Sequence, residues 1–127
     1  MPTRADTLLQ RLEQKAKRGH RGDPVATVAL YGPDDLLASK LVVGFSPNPD
    51  SGIVETQAWS SDDDVRSDAA ILEEALAFIS ERQVRSVVMT AGILGCPHEE
   101  GIDYPEGEHC ELCTFWIGRE RNAALIG

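Results

Sequence analysis

Four side chains between residues 95 and 116 have the types and spacing to grip a metal ion. Cys96 and His98 stand two positions apart, so in an extended segment both point to the same side of the backbone. Cys110 and Cys113 form a C-x-x-C knuckle, in which a tight turn presents two thiolates together. The four make a Cys3His set, which suits tetrahedral Zn²⁺ and closes its coordination shell. All 3 cysteines of the 127-residue chain fall in this stretch.

The two half-sites are joined by residues 99 to 109. Gly101, Pro105 and Gly107 mark that link as a loop that doubles back. His109 adjoins Cys110 and is the alternative fourth ligand, but neighbouring side chains in extended backbone point opposite ways, so His98 is preferred. Iron, or an iron–sulfur cluster, is the second choice of cofactor for such a set. Glu99, Glu100, Asp103, Glu106, Glu108 and Glu111 crowd the loop without offsetting the net charge of three thiolates on one zinc. They suit backbone and imidazole N–H groups or solvent. An odd cysteine count gathered into 18 positions points to ligands more than to structural disulfides.

Two enzymatic readings start from the same residues. His98-Glu99-Glu100 is H-x-E and Cys110-Glu111-Leu112-Cys113 is C-x-x-C; together they resemble the signature of zinc nucleoside and base deaminases. That resemblance implies zinc on His98, Cys110 and Cys113, with Glu100 shuttling protons to and from a metal-bound water. Only nine residues separate Glu100 from Cys110, residue 109 is His where the signature has Pro, and Cys96 stands ready to fill the position that a reactive water needs. The other reading is thioredoxin-like exchange by Cys110 and Cys113. Such motifs follow an early strand of a βαβ unit, whereas this one comes late in the chain beside two further ligands. The closed zinc site is therefore the leading expectation, and no catalytic residue is assigned.

The elements that must position this loop are legible upstream. Residues 3–18 place Ala5, Leu8, Leu9, Leu12 and Ala16 at helical spacing, with Gly19 as a stop signal. Three β-rich runs come next: VATVALY and KLVVGF, joined as a hairpin across Gly32-Pro33-Asp34-Asp35, and then IVETQAW with one wet face. Ile71, Leu72, Ala75, Leu76, Phe78 and Ile79 form the apolar stripe of a second helix with Ser67 or Asp68 as N-cap. VRSVVMT then returns to the sheet as a strand covered on both faces, and the cysteine segment begins where it ends. Asp62-Asp63-Asp64 reads as a solvated approach to the helix. Phe115, Trp116 and Ile117 are expected to fold back as a small core for the loop, or to offer an apolar patch to a partner.

The fold class is α+β: a mainly antiparallel sheet of about four strands, one principal helix across it, an N-terminal amphipathic helix and a C-terminal metal-binding loop. Residues 1–22 form a basic helix and linker, and residues 23–127 a single domain that carries the loop over 95–116. The net charge of −9 is uneven, because residues 1–22 hold six Lys/Arg against two acids. An acidic body repels phosphate backbones, so nucleic acid is disfavoured except at the basic arm. Neither a membrane span nor a secretory signal is apparent, which suggests a cytoplasmic protein. No phosphate-cradling glycine motif or nucleophile elbow occurs. The expectation is a small zinc-binding protein that meets a protein partner.

Overall fold

A computed structural model describes residues 2–98, 102, 115, 125 and 126. Helix α1 spans Arg4–Lys17, and Thr3 caps it. The Thr3 hydroxyl accepts from the Asp6 N–H while the Asp6 carboxylate accepts from the Thr3 N–H, so two donors left over at the helix start are satisfied reciprocally. The helix is capped by Arg18, and Gly19 just beyond takes a φ of +76° that is costly for any residue with a Cβ.

Strands β1 (Val25–Tyr31), β2 (Lys40–Ser46) and β3 (Glu55–Ser60) come next, then a 3₁₀ turn at Val65–Ser67, helix α2 (Ala69–Glu81) and strand β4 (Ser86–Gly95). The sheet order is β3-β2-β1-β4. The β1–β2 and β2–β3 pairs are antiparallel, while β4 runs parallel to β1. The fold is thus α+β with a mixed sheet. The parallel pair arises because α2 carries the chain over β2 and β1 and returns it in β3's direction, the crossover geometry that a helix imposes.

Both helices contribute to one core. Leu8, Leu12 and Ala16 of α1 and Leu72, Ala75, Phe78 and Ile79 of α2 are buried with Val28, Leu30, Leu41, Val43, Val87 and Met89 of the sheet. The basic N-terminal helix is therefore packed into the same core as the sheet. Each fully buried leucine contributes about 1.5–3 kcal/mol. Asp68 is the α2 cap, its carboxylate accepting from the Ile71 N–H.

Three details depart from expectation. In β3 only Trp59 is buried, so this edge strand is wet on both faces except at one anchoring side chain. In β4 Val88 is 37% exposed between buried Val87 and Met89, so that strand is covered on one face at this point. The stretch at residues 20–24 is tied to the sheet: the Ser86 hydroxyl accepts from the Arg21 N–H and donates to the Gly22 carbonyl, both at 2.7 Å.

Candidate metal centre

The end of β4 is shaped by an irregular ladder. Its register against β1 shifts between Val28 and Leu30 and again between Leu30 and Tyr31, so that Tyr31 pairs with Gly95. The displaced Leu30 N–H is met by the Thr90 hydroxyl at 3.4 Å. Bulges of this kind bend a strand and redirect the chain beyond it. The first residue beyond β4 is Cys96.

Cys96 is 3% exposed and joins the hydrophobic core, whereas His98 is half-buried beside it. The Cys96 Sγ lies 3.3 Å from His98 Nδ1 and accepts the His98 backbone N–H at the same distance. Bonds to zinc of about 2.3 Å from sulfur and about 2.05 Å from nitrogen, at a tetrahedral angle, place the two donors about 3.5 Å apart. The observed pair is close to that spacing.

The turn holding this pair is fixed from two sides. The Lys40 ammonium donates to the carbonyl of Pro97, the residue between the two donors, at 3.2 Å. Gly32, directly after β1, donates its N–H to the Gly95 carbonyl at 2.8 Å. A Cβ at position 32 would collide with the Leu37 carbonyl, so the 32–39 connection closes only over glycine. Asp34 turns that connection by accepting from the Leu36 and Leu37 N–H groups, which hold its carboxyl below the usual range.

Asp64 fastens the other end of the connection. It accepts from the Ala38 N–H, from the Arg66 N–H and from the Arg66 guanidinium, which also donates to the Leu36 carbonyl. Burial pushes the Asp64 carboxyl up, but the Arg66 guanidinium and the two backbone donors outweigh it and leave its pKa lowered. The acidic run at 62–64 thus ends in a structural clamp.

Cys110, Cys113, Glu100 and His109 lie outside the described residues, as do Trp116 and Ile117. Among the described residues no group of three or more Cys, His, Asp or Glu side chains is placed to hold a metal ion. Of the two expected half-sites, Cys96–His98 falls within the described residues and Cys110–Cys113 outside them. Phe115, two residues after Cys113, is half-buried against the main core rather than in a separate one.

No family model, no curated protein and no solved structure matches the chain. No helix among the described residues is long and apolar enough to cross a membrane. Sequence reading overlooks Lys40, which looks like an ordinary strand-initiating lysine, and Ser86, whose burial at 1% exposure has no signature in one dimension.

Proposed function

We propose that this chain is a zinc-binding protein in which Cys96, His98, Cys110 and Cys113 hold one Zn²⁺ and thereby order the loop over residues 95–116. The observation that carries this reading is the Cys96–His98 pair, whose Sγ and Nδ1 sit 3.3 Å apart in a braced turn. Any ion held by His98 at this spacing also meets Cys96. That favours a closed structural shell over the open position that a deaminase-like water beside Glu100 requires. Three thiolates on zinc carry a formal charge of −1, and the Lys40 ammonium docked on Pro97 is well placed to offset it.

The role that this implies is binding rather than catalysis. Zinc fixes a loop, and the acidic surface around it meets a protein partner in the cytoplasm. Phe115 packs against the core, and the six acids between residues 99 and 111 offer charge as a recognition feature at this end. Elemental analysis of untagged, anaerobically purified protein tests the reading: about one zinc per chain supports it, and none refutes it.

A further inference from the structure

A groove of about 360 Å³ lies between α1 and α2, lined by Arg11, Gln14, Lys15, Arg18, Leu76 and Ser80. Its wall carries three cations and no carboxylate, in a chain with 21 acidic residues against 12 basic ones. Two other cations of the helical layer are neutralised within the fold, Arg4 by Glu73 and Arg82 by Glu55 and Glu81, while Lys17 in the last turn of α1 is exposed. Arg11, Lys15 and Arg18 form no ion pair among the described residues. Lys15 is half-buried all the same, so part of its stem is withdrawn from water with no acid facing it.

Attraction to the helix C-terminus accounts for Lys15, Lys17 and Arg18 near the last turn of α1, but not for Arg11, which lies more than a turn further back. Positions 11, 15 and 18 share one face of the helix and span about 10 Å along its axis. Two guanidinium forks and an ammonium over that distance match several anionic oxygens at once. Ser80 and Gln14 add neutral donors, and Leu76 supplies an apolar wall.

We propose that this groove binds a small phosphate ester or pyrophosphate-bearing molecule. The volume is at the lower end of the range for small-molecule pockets, about 300–1,000 Å³. A compact anion stays within reach of the three cations. An extended polyanion leaves the groove for a body that carries about −13 outside residues 1–22, and is repelled there. The groove's lining residues come from α1, its C-cap and α2, and none is a residue of the proposed zinc site.

The test is titration of inorganic pyrophosphate into the full chain at low ionic strength, monitored by calorimetry and by backbone amide NMR. The expected result is saturable binding with shifts centred on Leu76, Ser80 and residues 11–18. Removing one cation, as Arg11→Ala or Lys15→Ala, should weaken it about tenfold. Ser80→Trp keeps every charge but fills the groove, and it should abolish binding. Binding that survives Ser80→Trp, or shifts spread over all basic residues, means diffuse electrostatics and overturns the proposal. So does the absence of binding, or a short oligonucleotide or polyglutamate competing more tightly than pyrophosphate. Zinc content plays no part in this outcome, so it stands or falls separately from the metal site.

Discussion

Cys96 and His98 sit on either side of Pro97 in the chain with their sulfur and Nδ1 3.3 Å apart, and Lys40 from β2 holds the peptide between them. A buried thiol at the end of a bent strand is thereby joined to an imidazole that reaches solvent. The same turn depends on Gly32 and, through the 32–39 connection, on Asp64.

The metal prediction distinguishes a closed shell from an open one. Cys96→Ser should lose most of the zinc, measured by elemental mass spectrometry, because a hydroxyl is a far poorer ligand than a thiolate. Retention of a full equivalent of zinc in the variant would show that three other ligands suffice, and would revive a role for Glu100 in catalysis.

Gly32→Ala should destabilise the protein by about 2 kcal/mol or more, since the new methyl group collides with the Leu37 carbonyl and the backbone must shift. Urea unfolding measures this. Because Gly32 also donates to Gly95, zinc affinity in competition with a chelator should fall in the same variant.

Asp64 gives an acid limb to the stability curve. Its folded pKa is lowered, so its contribution is present above the unfolded value of about 3.9 and is lost as pH falls through the folded value. Asp64→Ala should cost about 1–3 kcal/mol near pH 7, through loss of the cap on the 3₁₀ turn and of the Ala38 bond. The gap between wild type and variant should narrow below about pH 4. A gap that stays constant down to about pH 2 would contradict the assignment.

Leu12 is fully buried between the N-terminal helix and the rest of the core. Leu12→Ala should cost about 2–5 kcal/mol and lower the single unfolding midpoint of the whole domain. A separate early transition confined to α1 would show instead that the helix is an independent arm.

Much of the fold is legible in the sequence because local signals agree. The apolar stripe from Ile71 to Ile79 and the Asp68 cap identify α2, and the alternation in VATVALY around a Gly-Pro-Asp turn identifies the β1–β2 hairpin. The run IVETQAW that holds β3 is harder to read: Val54, Thr56 and Ala58 alternate like one face of a strand, yet all three are exposed and Trp59 on the other row is the buried one. An edge strand buries only what its neighbours cover, and one-dimensional alternation does not report that.

The candidate ligands are visible in sequence alone, because C-x-H and C-x-x-C are the short-range spacings that a metal shell would require. That the N-terminal helix is bound into the core, that β4 runs parallel to β1, and that Lys40 and Gly32 brace the turn at Cys96 were decided only by the tertiary structure. Each of these joins residues far apart in the chain, from Leu12 against α2 to Lys40 on Pro97, and such contacts are chosen by which surfaces bury each other best when the elements pack.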